Sequence, residues 1–416
     1  MNFTNVKINV PGSKSITNRV LIISALAQGT TRLENFLKSN DTEAMVQCLK
    51  ELGVEIQTNA EIVSVVGVDG TFKSVTGKLF ANQSGTTGRF ILPALLVSSG
   101  KFEVDGDTQL RNRPFGEVAS FYKQLGVSFK AQDSKLPFTV DTTGLTFKDE
   151  IEITIDGSKS SQFLSGILMV APVLGKPVKI KITGDLVSTS YVHMTIKIME
   201  CFGAKVSWRN DVIEIQPTGY VGRDYIIEPD ASSASYFFAL GANLSEGIEI
   251  EGLTKNSLQG DVQFVELLQK MGAIVDYREN SIFIKSSGQL NGVSVDMEDF
   301  SDTMPTLAAV APLCKTPVTI TGVEFIRHKE SDRIQAMFNE LTKLGVKVTE
   351  NQDGLYIEPS EVKVASNIEL ETYDDHRIAM SLGALLKLSN NELGIIKNPS
   401  CVNKTFPTFW DELKKI

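Results

Sequence analysis

At 416 residues the chain exceeds what one ordinary core fills, so two domains are expected. Its 42% hydrophobic and 22% charged content is that of a globular protein, and no apolar run reaches the roughly 18 residues of a membrane helix. A net charge of −9 argues against nucleic acid as a partner; anionic ligands would need basic residues gathered locally in a cleft.

The start, MNFTNVKINVPGSKS, has neither a basic region followed by an apolar one nor an Arg-rich transit character, so no leader is expected. The cysteines at 48, 201, 314 and 401 are scattered, without a C-x-x-C pair or the His spacing of a zinc site. Reduced thiols, a cytoplasmic location, no metal and no cofactor are the expectation, together with a monomer.

In chain order, a β-like stretch VKINV (6–10) runs to Pro11. Ser13 then opens an apolar helix over SITNRVLIISALA, followed by an amphipathic helix ending in CLKELGVEI and the strand IVSVVGV. Ser84 precedes GTTGRFILPALLV, and a helix ending in FYKQLGVSF follows. The strand IEITIDG leads to Ser160 before SQFLSGILMVAP, then to the strand PVKIKITG, a helix ending in IMECFGAKV, and VIEIQP. Beyond Pro229, Ala231 precedes SSASYFFALGA, with IEIEG, LLQKMGAIV and SIFIKS after it. Asp302 precedes TMPTLAAVAP, with PVTITGV and LTKLGVKV following; Asp375 precedes HRIAMSLGALL, and the last helix is FPTFWDELKKI.

One element recurs through this order: an amphipathic helix closing on hydrophobic-Gly-small. Its glycines, Gly53, Gly126, Gly203, Gly272 and Gly345, stand 73, 77, 69 and 73 residues apart. One would mean little in any α/β protein. Five, with a terminal helix placed as a sixth copy, define a repeat of about seventy residues. Each glycine suits a helix C-cap at positive φ. The intervening helices are apolar nearly all round and should be buried, whereas the glycine-terminated ones should face solvent on one side. Six α/β layers suggest two domains of three, with joints at Pro11 and Pro229. The first domain is then 12–228 and the second 1–11 plus 229–416, so the chain crosses twice.

Unusual polar residues cluster where these helices begin. A helix N-terminus offers unpaired N–H groups and partial positive charge, so converging N-termini suit a multiply charged anion. In GSKSITNR, Lys14, Ser15 and Arg19 suit a phosphate or carboxylate, although a capping box with solvated charges explains that segment alone equally well. Gly85, in QSGTTGR, would let a ligand approach the backbone. RNRP sets Arg113 directly before a helix-opening proline. Ser160, Ser161 and Gln162 could hydrogen-bond a polyol, and Ser188 and Tyr191 open another helix. RHKESDR crowds Lys329, Glu330 and Arg333, a pattern that a surface ion cluster would also give. Asp302 sits before a helix so apolar that its carboxylate should point into a shared site. Arg377, inside the first turn of a buried helix, must meet an anion or a carboxylate. His376 reads as a core histidine. Lys404 precedes the final helix.

Taken together, GSKSITNR, SGTTGR, RNRP, GSKSSQF, EPDASSASYF, DMEDFSDTMPT, RHKESDR, YDDHRIAM and CVNKTFP resemble, in order and over nearly the whole chain, the enolpyruvyltransferase family. Within it the likeness is to the synthases acting on shikimate 3-phosphate. The resemblance implies a two-domain α/β fold, each domain of three βαβαββ repeats in an inside-out arrangement, with the active site between them. It implies two small-molecule substrates, phosphoenolpyruvate and shikimate 3-phosphate, and transfer of the enolpyruvyl group to the 5-hydroxyl with loss of phosphate. Shikimate 3-phosphate would be held by Lys14, Ser15, Arg19, Ser160, Ser161, Gln162, Ser188, Asp302 and Lys329. Phosphoenolpyruvate would be held by Lys14, Gly85, Arg113, Gln162, Arg333, Arg377 and Lys404. Asp302 would accept the hydroxyl proton, Glu330 would deliver and retrieve the C3 proton, and Lys14 would help phosphate leave.

Four positions depart from the family's pattern. Asn82-Gln83 replaces the usual Gly-Asn, Gly88 stands where methionine is usual, and Phe325 stands where a substrate-contacting asparagine often lies. Two other readings remain: the sister transferase acting on UDP-N-acetylglucosamine, and a non-catalytic phosphometabolite binder. The first would show a loop cysteine that is absent from the Gly-rich segments here. The second need not keep both Asp302 and Glu330.

Overall fold

A computed structural model describes residues 6–59, 62–73, 76–147, 149–365, 368–389 and 394–416. Residues 1–5, at the head of the segment 1–11, lie outside the described residues. The chain divides into two compact units, 1–11 with 228–416, and 12–227.

Apart from the single helical turn Thr108–Arg111, two kinds of helix alternate along the chain, as their sequence patterns dictate. The apolar kind comprises α1 (Lys14–Leu26), α3 (Gly85–Ala94), α5 (Ser161–Val170), α7 (Ala231–Gly241), α9 (Met304–Val310) and α11 (His376–Leu388). The amphipathic kind comprises α2 (Asn40–Glu51), α4 (Gly116–Gln124), α6 (Thr189–Cys201), α8 (Gln263–Lys270), α10 (Arg333–Lys343) and α12 (Phe409–Leu413). Every residue of α3, α7 and α9 is buried, and all but Ser15 of α1. Helices of the second kind bury only one face; in α8 this is Phe264, Val265, Leu267 and Leu268. The glycines that end them all adopt positive φ: 88° at Gly53, 69° at Gly126, 99° at Gly203, 116° at Gly272 and 74° at Gly345. A side chain there would be strained, which explains why the residue recurs at each copy.

Among the described residues, five four-stranded sheets repeat one order. In the second copy Thr76–Phe80 runs parallel to Lys101–Asp105, which pairs antiparallel with Phe138–Asp141, which pairs antiparallel with Ser128–Lys130. With α3 and α4 in place, this is a βαβαββ unit. The sixth copy shows two described strands, Glu369–Leu370 beside Ile395–Ile396. Alternation along Ile151–Asp156 puts Ile151, Ile153 and Ile155 inside and charged or polar neighbours outside.

Two sheets borrow their first strand from far along the chain. Val6–Lys7 pairs parallel with Ile248–Glu249, and Asp224–Ile226 pairs parallel with Arg32–Glu34. The unit 12–227 is therefore closed on itself. At that closure Gly12 lies so close to Asn35 that a Cβ would meet its carbonyl oxygen at 1.8 Å. No other residue fits there.

In each unit the three apolar helices pack on one another: α1, α3 and α5 in one, α7, α9 and α11 in the other. Small residues allow this closeness, since a Cβ on Gly166 of α5 would lie 2.7 Å from the Arg89 carbonyl oxygen of α3. The cores are aliphatic with aromatic anchors, including Phe90, Phe121 and Phe138 in one unit and Phe237, Phe406 and Phe409 in the other.

Candidate active site

The unit 12–227 gathers its polar residues at the starts of α1, α3 and α5. Ser13, Ser84 and Ser160 cap these helices, accepting from the amides of Ile16, Thr87 and Gln162. Lys14, at the first turn of α1, is buried with its ammonium 3.9 Å from Asp41 of α2. Thr87 of α3 donates to the Asp41 carbonyl at 3.2 Å, so the two helix starts are tied together. Gly85 receives the Arg113 guanidinium directly against its backbone: a Cβ there would sit 2.6 Å from Nη1. Arg113 is itself buried. The proline after Arg113 does not open a helix, because α4 begins at Gly116 with Phe115 at its N-cap.

Gln162 is held by a residue that the sequence reading passed over. Arg89 donates to its Oε1 at 2.6 Å and lies 5.4 Å from the Phe115 ring centre and 4.9 Å from that of Phe163. Arginine has only donors, so the carbonyl oxygen of Gln162 must face Arg89 and its amide NH₂ must face the other way. Arg19 is also deeply buried. Its Nε donates to Thr195 at 2.7 Å, Nη1 to the Ser15 carbonyl at 3.0 Å, and Nη2 to Ser165 at 3.2 Å. No carboxylate among the described residues forms an ion pair with it. Burial pulls its pKa down to about 10, partly opposed by Tyr191. Ser188 caps α6 in the left-handed region, φ 53° and ψ 48°, without a side-chain cap bond. A serine holds that conformation only when its surroundings fix it. Ser161 is buried beside Ser160.

The unit 228–416 builds a dense charge network. Asp302 lies in a 3-10 segment, Glu298–Thr303, rather than at the helix cap: α9 starts at Met304 after Thr303. Its two oxygens accept from Arg333 Nη1 at 2.8 Å and Arg377 Nη2 at 2.6 Å. Glu330 accepts from Arg333 Nη2 at 2.9 Å and lies 3.1 Å from Lys404 Nζ. Asp375 caps α11 by accepting from the Arg377 amide and also accepts from Arg333 Nε at 2.8 Å. Arg333 is 2% exposed, Arg377 3% and Lys404 4%, so this is not a solvated surface ion cluster. Burial lowers the Arg333 pKa, but Asp375, Glu330 and Asp302 outweigh it and raise it overall. Tyr236 of α7 adjoins the cluster; burial raises its pKa while Arg377 and Arg333 pull the other way. Lys329 lies at the end of the 3-10 turn Glu324–His328, its ammonium 5.8 Å from the Phe325 ring centre. His376 is wholly buried, its Nδ1 3.6 Å from Asp375. The cap of α7 is Asp230, one residue before the expected Ala231. Among the described residues no group of three His, Cys, Asp or Glu could hold a metal ion.

A model of the EPSP synthase (3-phosphoshikimate 1-carboxyvinyltransferase) family matches residues 4–413. The chain belongs to this family. It is 38% identical over 410 residues to a 3-phosphoshikimate 1-carboxyvinyltransferase of Nostoc punctiforme, covering 97% of this chain and 94% of that one. A counterpart in Trichormus variabilis is 39% identical over 415 residues, covering 98% and 96%. Among solved structures, the EPSP synthase of Acinetobacter baumannii superposes with a TM-score of 0.81 at 26% identity, covering 98% of this chain and 95% of that one. The enolpyruvyl transferase NikO of Streptomyces tendae, at 17% identity and a TM-score of 0.74, shares the fold. The βαβαββ repeat implied by the resemblance is present in the pairing pattern of this chain, and the solved structures share its fold. No helix among the described residues is long and apolar enough to cross a membrane.

Two residues placed against the candidate site escaped sequence reasoning: Asp41, beside Lys14, and Arg89, bonded to Gln162. Arg89 carried a usable signal, an arginine in an otherwise apolar helix, the same argument that singled out Arg377. Asp41 carried none, since an acid in the first turn of an exposed helix is ordinary. One departure has a physical explanation: Asn82, standing for the usual glycine, has φ 49°, a conformation asparagine tolerates best after glycine.

Proposed function

We propose that the protein transfers the enolpyruvyl group of phosphoenolpyruvate to the 5-hydroxyl of shikimate 3-phosphate and releases phosphate. Membership of the family supports the reaction. The observation that carries the site is the buried set Arg333, Arg377 and Lys404, knitted to Asp302 and Glu330 at 2.6–3.1 Å. Three buried cations touching two carboxylates suit a trianionic substrate whose reaction needs an acid and a base.

Phosphoenolpyruvate is taken by Arg113 against Gly85, by Gln162, Lys14, Arg333, Arg377 and Lys404. Shikimate 3-phosphate is taken by Lys14, Ser15, Ser160, Ser161, Gln162, Ser188, Asp302 and Lys329. Arg19 contributes the field of a buried cation, because its nitrogens already donate to protein oxygens. Binding of phosphoenolpyruvate draws Arg333 and Lys404 away from Glu330 and Arg377 away from Asp302. Asp302 then accepts the 5-hydroxyl proton while that oxygen attacks C2. Glu330 protonates C3, giving a tetrahedral adduct. Glu330 next removes a proton from C3, the C2–C3 double bond re-forms, and the C2–O bond to phosphate breaks with Lys14 at the leaving oxygen. Bringing two reactants into register supplies about 7–11 kcal/mol in the best cases. No cofactor or metal takes part in this scheme, and the protein acts as a cytoplasmic monomer.

The test is coupled phosphate release from phosphoenolpyruvate. Release strictly dependent on shikimate 3-phosphate is expected. Release with UDP-N-acetylglucosamine instead, or tight binding of both substrates without product, removes the proposal.

A further inference from the structure

Helix α10 grips the segment 371–377 at two points. At its first turn, Arg333 donates to Asp375 at 2.8 Å. Two turns later Glu340, fully buried, accepts from the Tyr373 hydroxyl at 2.7 Å and from the Glu371 amide at 3.0 Å. Seven residues of helix bring both side chains to one face, about 10 Å apart along the axis. Between the two grips the chain makes a turn in which Tyr373 and Asp374 are both left-handed, φ 55° and 53°. Two consecutive non-glycine residues stay there only when neighbouring bonds hold them. Asn398, itself at φ 44°, donates to the Asp374 carboxylate and secures the turn from the other side. The turn runs straight into Asp375, the cap of α11, and Arg377.

We propose that Glu340 is a positioning residue for the phosphoenolpyruvate-binding arginines, acting through this strained turn. It touches no group assigned to substrate. Its lone pairs fix Tyr373 and Glu371, their backbone fixes Asp375, and Asp375 orients Arg333 and Arg377. Lys343, on the solvent side at 2.8 Å, completes the carboxylate's partners. The inference rests on the proposed function for its kinetic consequence, though the grip itself does not.

The test compares Glu340→Gln and Tyr373→Phe with wild type, titrating each substrate in the phosphate-release assay and following amide exchange by mass spectrometry. Glu340→Gln keeps one acceptor for three donors and loses the charge. The KM for phosphoenolpyruvate is expected to rise about tenfold, with kcat within about threefold and the KM for shikimate 3-phosphate unchanged. Tyr373→Phe should give the same pattern at about threefold. Amides of 371–377 should exchange faster in both, with the rest of the unit unaffected. A phosphoenolpyruvate KM within about twofold of wild type in both variants overturns the proposal. So does an equal rise in both KM values, or faster exchange throughout the unit, since either marks a merely structural loss. If Glu340→Gln does not fold, Tyr373→Phe decides by the same criteria. A wild-type protein without turnover would remove the functional reading instead, and amide exchange would still decide whether Glu340 holds the turn.

Discussion

Replacing Gly85 with alanine probes how closely Arg113 is fitted. The added Cβ would lie 2.6 Å from Nη1, 2.8 Å from Cζ and 3.1 Å from Nη2. Ordinary contact begins near about 3.5 Å, so the guanidinium must retreat by about 1 Å. Arg113 is 8% exposed, which leaves little space for that retreat. A hydrogen bond to a charged group contributes roughly 1.5–3 kcal/mol net. Losing one such bond to phosphoenolpyruvate raises its KM by about 10- to 100-fold. The helix itself should not suffer, because Gly85 has no left-handed φ and alanine is the better helix former by about 1 kcal/mol. The assay is phosphate release with phosphoenolpyruvate varied at saturating shikimate 3-phosphate, alongside a thermal melt. The KM for shikimate 3-phosphate should stay unchanged and the melting midpoint should not fall. The same substitution in an Arg113→Met background should add nothing, because the effect travels through that guanidinium. An undiminished cost in that background would refute the reasoning.

Glu330→Gln and Asp302→Asn should each lower kcat by roughly 10²–10⁴-fold while binding of both substrates persists, checked by single-turnover kinetics and calorimetry. Gly166→Ala sets a Cβ 2.7 Å from the Arg89 carbonyl oxygen, so the α3–α5 contact should loosen at a cost of about 1–3 kcal/mol, read as a lower thermal midpoint. Tyr373 has its pKa raised from 10.0 to about 12, first by burial and then by its bond to Glu340. The folded state therefore keeps a proton that the unfolded chain releases earlier. That contribution is intact below pH 10 and disappears on the way to pH 12. Urea titrations across this window should fall less steeply for Tyr373→Phe than for wild type; equal slopes would exclude the coupling.

Much of this architecture is visible in the sequence because it is repeated. Gly53, Gly126, Gly203, Gly272 and Gly345 each obey a local backbone rule, and a rule applied five times outweighs any single propensity. Apolar helices are legible for the same reason: α7 and α9 show no polar face to misread. Legibility fades where partners are distant. Asp302 reads as a helix opener, yet its place in a 3-10 turn is set by Arg333 and Arg377, 31 and 75 residues away. Asp41 and Glu340 look like ordinary acids on exposed helices, and only the folded chain shows what each meets. Arg89 could have been found, because an arginine amid FILPALLV must have a partner. The left-handed turn at Tyr373 and Asp374 has no glycine to announce it, so only tertiary bonds reveal it.

The borrowed strands also bear on synthesis. Everything that residues 12–227 need for their sheets has left the ribosome once Ile226 emerges, so that portion is able to fold while the rest is still being translated. Val6–Lys7 must instead wait for a strand made some 240 residues later, at Ile248–Glu249. At roughly 5–20 residues per second that delay is on the order of tens of seconds, during which the leading peptide has nothing to pair with. A polypeptide limited to 12–227 should then yield a self-sufficient globule, whereas one beginning at 228 would lack an edge that the N-terminus alone supplies.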